Sequence, residues 1–210
     1  MSGHEHDHDH APITDGDEPS AARRARALEE LLVEKGLIER DDVHRRIDWL
    51  VSRSPADGAR LVVRAWVDPD FKKRLLADAR SAALELGLDP GQSPVVVALE
   101  NTADVHHVVV CTLCSCYPRA LLGPPPDWYK SLPYRSRVVT DPRGVLEEFG
   151  LELGDDVELR VVDSTADIRY LVVPRRPEGT EGLTEDQLAA LVTRDTMIGV
   201  AEPAAPAAVA

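Results

Sequence analysis

Apolar positions recur every three or four residues through the first third of the chain, then give way to short unbroken runs. In the first third, Ala25, Leu28, Leu31 and Leu32 form one stripe. It predicts a helix over residues 20–35, with Gly36 where a C-terminal cap belongs. Val43, Ile47, Leu50 and Val51 mark a second helix beginning at Asp41 or Asp42. Ser54-Pro55-Ala56-Asp57-Gly58 reads as a break, and residues 61–67 as a short apolar segment. Asp68-Pro69 then supplies an N-cap and a first-turn proline for a helix reaching Leu86 and stopping at Gly87.

After Pro90 the period changes. Runs at 95–99, 105–110, 157–162 and 168–173 are short, rich in β-branched residues and bounded by turn formers, which predicts buried strands. Between them Gly123-Pro124-Pro125-Pro126 is a stiff loop, and residues 142–149 form a short helix halted by Gly150. Thr184-Glu185-Asp186-Gln187 has capping-box spacing and opens a last helix through about Thr193. The expected fold class is α+β: a helical arm over 21–90, then a domain over 91–201 of mixed β-sheets flanked by helices in α/β/β/α layers. A His/Asp-rich tail over 1–20 and an Ala/Pro-rich tail over 202–210 are expected to be disordered, having nothing to bury.

Composition narrows this picture. Aromatic residues make up only 4% of the 210 positions, so the core has to be assembled mainly from Val, Leu, Ile and Ala. A formal charge of −13 opposes a phosphate backbone, and no nucleic-acid partner is expected. No run approaches the ~20 apolar residues that cross a bilayer. The first residues lack the layout of a secretory signal, so a cytoplasmic location and no membrane contact are expected. His4, His6, His8 and His10 alternate with acidic residues, a pattern suited to a solvated tail that binds divalent metals loosely.

All three cysteines of the chain, Cys111, Cys114 and Cys116, fall within six positions at the end of a predicted strand. An odd count so tightly grouped does not make a disulfide framework. It places three thiols on one loop within reach of one ion, and thiolates suit zinc, copper(I), iron or cobalt. A structural zinc site would need a fourth ligand, which only His106 or His107 upstream could offer. An iron–sulfur cluster would need a fourth cysteine. Three thiolates with an open position suit catalysis better than structure; a non-catalytic zinc or thiol redox module is the alternative of a different class.

The stretch Val110-Cys111-Thr112-Leu113-Cys114-Ser115-Cys116-Tyr117-Pro118 resembles the metal claw of nitrile hydratase alpha subunits. The likeness extends to Asn101, Val105-His106-His107, Trp128-Tyr129-Lys130 and residues 134–139, 174–179 and 191–195, and covers about 25–201. Thr at the position of Thr112 accompanies cobalt in that family. The resemblance implies one non-corrin Co(III) per subunit, held by the sulfurs of Cys111, Cys114 and Cys116 and the backbone nitrogens of Ser115 and Cys116. It implies Cys114 as sulfinate and Cys116 as sulfenate, which makes the metal a stronger Lewis acid. The implied reaction is hydration of a C≡N group to an amide, with the Cys116 oxygen as nucleophile or base. A beta-type subunit that supplies arginines to the oxidised cysteines, and an accessory protein that inserts cobalt, are the implied partners.

Other residues carry weaker signals. Gln92, nineteen positions before Cys111, matches a pocket glutamine of the family, and reads equally well as a polar loop residue. Asp163 and Ser164 match a family Asp-Ser pair with a turn or supporting role. His106 and His107 alternate faces on a strand and read best as core histidines. Arg119 departs from the family, which has Trp at this point: a guanidinium three residues after Cys116 favours an anion. In this the chain is similar to the gamma subunit of thiocyanate hydrolase, which also starts His/Asp-rich. A nitrile and thiocyanate are therefore the two substrate expectations.

Overall fold

In the computed structural model, which describes residues 20–91 and 95–204, the N-terminal helical pattern becomes five helices. They are α1 (Ser20–Glu34), α2 (Asp42–Val51), α3 (Pro55–Val67), α4 (Pro69–Ala77) and α5 (Ala79–Glu85). Apart from Ser20, the His/Asp-rich tail lies outside the described residues, as do residues 205–210. The chain divides after Ile47 into two compact units. In the first, α1 ends in a Schellman cap: Gly36 takes φ +66°, and the N–H groups of Gly36 and Leu37 donate to the carbonyls of Val33 and Leu32. Neither α1 nor α2 buries a residue, and Leu28, Leu31, Leu37 and Ile47 are exposed.

Two helix readings need correction. Residues 61–67, read as a separate apolar segment, are the buried face of α3, which begins at the supposed break. Ser54 accepts from the Ala56 N–H and Pro55 fills the first turn, so the dipeptide that stops α2 also starts α3. The single helix expected over 69–86 is two. Asp78 in extended conformation ends α4 through its own N–H to the Arg74 carbonyl, and its carboxylate caps α5 at Arg80 and Ser81.

The four strands lie where the apolar runs predicted them: β1 (Val95–Glu100), β2 (Val105–Val110), β3 (Glu158–Asp163) and β4 (Ile168–Val173). Together with the helices they give the α+β class the pattern implied. Among the described residues the strands pair in two parallel ladders, β1 with β4 and β2 with β3. Parallel pairing needs a long crossover. Between β2 and β3 the crossover contains α6 (Arg119–Leu122), α7 (Asp127–Lys130), α8 (Leu132–Thr140) and α9 (Pro142–Glu148). The first three of these were not predicted, although Ser131 and Pro133 are start signals for α8, where the Ser131 hydroxyl accepts from the Tyr134 N–H.

Strand β2 is buried along its last five residues, which explains why its sequence runs apolar without alternation. The last helix expected, through about Thr193, stops earlier as α10 (Glu185–Ala189), and a helix that was not expected, α11 (Arg194–Ile198), follows; each is opened by a capping box. Helix α11 ends at Gly199, whose φ is +90° and whose backbone presses on β2. A Cβ there would lie 1.9 Å from the His107 carbonyl oxygen. Buried apolar residues run from Ala59 to Val200, all within the second unit.

Candidate metal centre

The parallel register of β2 and β3 sets Val110 opposite Asp163, so both strands release their chains at one edge. Cys111 follows β2 and is fully buried; Thr112, Leu113 and Cys114 turn outward; Ser115 and Cys116 lead back to buried Tyr117. The three sulfurs converge. Cys111 Sγ lies 3.5 Å from Cys114 Sγ, which lies 3.3 Å from Cys116 Sγ, and all three fall within 4.8 Å of one another. Among the described residues this is the only group of three or more His, Cys, Asp or Glu side chains placed to share an ion.

Polar contacts hold the loop at four points. At its start, the Asp163 carboxylate accepts from the Thr112 N–H at 3.0 Å and from the Thr112 hydroxyl at 2.5 Å. Inside it, the Cys114 N–H donates to the Cys111 sulfur at 3.3 Å. At its tip, Arg135 on α8 donates from Nη1 to the Cys114 carbonyl at 2.6 Å. At its end, the Tyr129 hydroxyl donates to the Cys116 carbonyl at 2.9 Å. Ser164, beside Asp163, is buried, and its N–H donates to the Val110 carbonyl at 2.7 Å.

Beneath the loop sit five of the chain's nine aromatic residues: Tyr117, Trp128, Tyr129, Tyr134 and Phe149. Their rings meet edge-on or tilted, with Tyr117 and Tyr129 centroids 5.3 Å apart and Trp128 and Tyr134 4.8 Å apart. Tyr134 donates to the Val109 carbonyl at 2.7 Å, tying the cluster to β2. Burial raises the phenol pKa of Tyr117, Tyr129 and Tyr134 well above the usual value, so all three stay neutral; Tyr129 and Tyr134 donate to main-chain carbonyls, whereas the buried Tyr117 hydroxyl has no partner among the described residues. The scarcity of aromatics elsewhere and their bunching after position 116 was the available signal for this platform.

The thiols differ in character. Hydrogen bonds from the Cys116 and Cys111 thiols and the Ser115 N–H lower the Cys114 pKa to about 7. Cys116 is pushed up to about 12 by burial and by sharing its proton with Cys114, and the Arg169 guanidinium pulls in the opposite direction. Exposed Cys114 therefore carries more thiolate than Cys116 at neutral pH.

The two histidines stand apart from the cluster. His106 Nε2 donates to the Gly199 carbonyl at 2.8 Å, which leaves Nδ1 to accept from the Asn101 amide at 3.1 Å. The Asn101 oxygen then accepts from the His107 N–H and from His107 Nδ1. Both rings are core histidines, as the strand pattern suggested, and burial lowers both pKa values. Gln92 lies outside the described residues. Gly91, just before it, rests on α6: a Cβ there would lie 2.9 Å from Ala120 Cβ. Arg119 is exposed at the start of α6, and among the described residues its guanidinium has no hydrogen-bond or ion-pair partner.

Known proteins match this chain over most of its length. The family model described as nitrile hydratase, alpha chain, matches residues 19–201. The chain is 55% identical over 186 residues to the low-molecular weight cobalt-containing nitrile hydratase subunit alpha of Rhodococcus rhodochrous, covering 88% of this chain and 90% of that one. It is 47% identical over 188 residues to the thiocyanate hydrolase subunit gamma of Thiobacillus thioparus, covering 84% and 77%. Among solved structures, a recombinant thiocyanate hydrolase with partially modified cobalt centres superposes with a TM-score of 0.83 at 44% identity, covering 90% of this chain and 92% of that one.

Proposed function

The chain belongs to the nitrile hydratase alpha-chain family, and on that premise we propose that it is the catalytic alpha-type subunit of a cobalt nitrile hydratase. The observation that carries this reading is the convergence of three sulfurs within 4.8 Å on one braced loop. The donor set fits the metal: three soft sulfurs within six positions of one loop, with no carboxylate among them. Cys111, Cys114 and Cys116, with the main-chain nitrogens of Ser115 and Cys116, would hold one Co(III) per chain. When bound, the ion supplies Lewis acidity toward the C≡N group.

In this reading an oxidant of the dioxygen or peroxide class supplies the oxygens that make Cys114 a sulfinate and Cys116 a sulfenate, and accessibility supports those two positions. Cys114 is exposed and Cys116 half-buried, whereas Cys111 is buried and stays unoxidised. The Cys116 oxygen then acts as base or nucleophile. Water oxygen ends on the nitrile carbon, both water protons end on nitrogen, and the product is an amide. Gln92 orients the substrate through its side-chain amide. The new sulfur oxygens need charged donors, which we assign to arginines of a beta-type subunit. Exposed Leu28, Leu31, Leu37 and Ile47 on an arm that buries nothing support such a partner. An accessory protein inserts the cobalt.

One observation favours a second substrate. The free, exposed guanidinium of Arg119, three residues after Cys116, suits an anion, and thiocyanate hydrolase relatives match along most of the chain. The test is metal analysis followed by a side-by-side assay of a small neutral nitrile and thiocyanate, on the complex co-expressed with its partner in cobalt medium. Stoichiometric cobalt and faster nitrile turnover support the nitrile hydratase reading. Faster thiocyanate turnover makes this a thiocyanate hydrolase gamma-type subunit, with Arg119 binding the anion. Stoichiometric zinc with unoxidised cysteines would identify a non-catalytic module.

A further inference from the structure

We infer that Arg135 is a positioning residue of the metal centre, a cationic strap that fixes the Cys114–Ser115 peptide in the conformation the ion requires. The inference rests on the proposed metal site and extends it to a side chain outside the cysteine motif. Of the contacts that brace the loop, those of Thr112 and Tyr129 hold its two ends, where the chain leaves and re-enters the core. The tip is different. Leu113 is 88% exposed and Cys114 is exposed, so neither is held by packing. Among the described residues, the only bond from outside the loop to this tip is that from Arg135 Nη1 to the Cys114 carbonyl, at 2.6 Å.

The donor sits on a rigid base. Arg135 follows Tyr134 in α8, and Tyr134 is packed into the aromatic cluster and bonded to the Val109 carbonyl on β2. The strap therefore ties the tip to the strand that delivers Cys111, and so sets Cys114 against Cys111. Its charge has a second effect. The carbonyl that Arg135 grips belongs to the peptide whose nitrogen is that of Ser115. A guanidinium on that oxygen stabilises the negative charge that a peptide carries once its nitrogen has given up its proton to bind a cation.

The test uses the complex with its partner, loaded in cobalt medium, and compares the parent with R135Q, R135K and R137Q. Arg137 lies on the same helix but pairs with Glu148, so R137Q controls for general damage to α8. Cobalt loss to a chelator and the sulfur-to-cobalt charge-transfer absorption are the readouts. We expect R135Q to lose cobalt about tenfold faster or more, with a shifted absorption band. R135K should recover part of both, and R137Q should match the parent. Hydrogen exchange over residues 111–117 reads the strap whatever ion is bound, and should quicken in R135Q alone. Parental exchange, spectrum and retention in R135Q would overturn the inference. Quickened exchange in R135Q, measured against a parent that carries no cobalt, would instead sink the cobalt assignment and leave the strap standing.

Discussion

At the residue scale, the loop's geometry depends on single polar contacts that a short segment cannot supply for itself. Asp163 is one: its carboxylate takes both the N–H and the hydroxyl of Thr112, fifty-one residues away. D163A removes both acceptors at once. We expect retention of the proposed cobalt against a chelator to fall about tenfold, with far-UV circular dichroism unchanged; parental retention would show that the ends of the loop need no such brace. The histidines act differently. In His106, Nδ1 accepts and Nε2 donates, so protonation breaks the bond from Asn101, and burial lowers the pKa of both rings from the ordinary 6.5. The unfolded chain then binds the extra proton more readily than the folded one, so this contribution is complete above pH 6.5 and lost as pH falls below it. Thermal melts across that range should show a declining midpoint for the parent and a shallower decline for H106Q. The cysteines and the histidines were legible from residue type and spacing; Tyr129 and Arg135 were not, because each acts through a main-chain carbonyl, which leaves no pattern in side-chain identity.

At the element scale, caps decided most of what the hydrophobic period left ambiguous. The period finds a helix but not the single residue that ends one and begins the next, which is why 69–86 read as one helix until the extended backbone of Asp78 divided it. Short helices depend on such residues more than long ones. S131A removes the cap of α8 and should cost about 1 kcal/mol of stability in urea titration. Gly199 combines two demands: a left-handed φ and a backbone too close to His107 for any Cβ. G199A should therefore cost about 3 kcal/mol or more, among the largest single-site losses in the chain. A G199A protein with a parental urea midpoint would mean that β2 yields to α11 more readily than its burial suggests.

At the scale of the whole molecule, burial is confined to one unit. Every buried apolar residue among those described lies from Ala59 onward, while α1 and α2 bury none. A chain truncated through residue 41 should then unfold cooperatively within a few degrees of the full-length protein, yet fail to co-purify with the proposed beta-type partner. A collapsed melting temperature would show that the arm supports the second unit directly. Features that depend on near neighbours along the chain were legible from residue order alone: the helical period, the buried strands, the turn residues, and three thiols confined to six positions that could reach one ion. The tertiary structure decided what depends on residues distant along the chain. Two strands separated by four short helices pair in parallel and bring Asp163 to Thr112, and an aromatic platform beyond a proline-rich loop carries Tyr129 and Arg135 to the same six residues. Local propensity cannot set such contacts, because their energy appears only once a crossover of some fifty residues has closed.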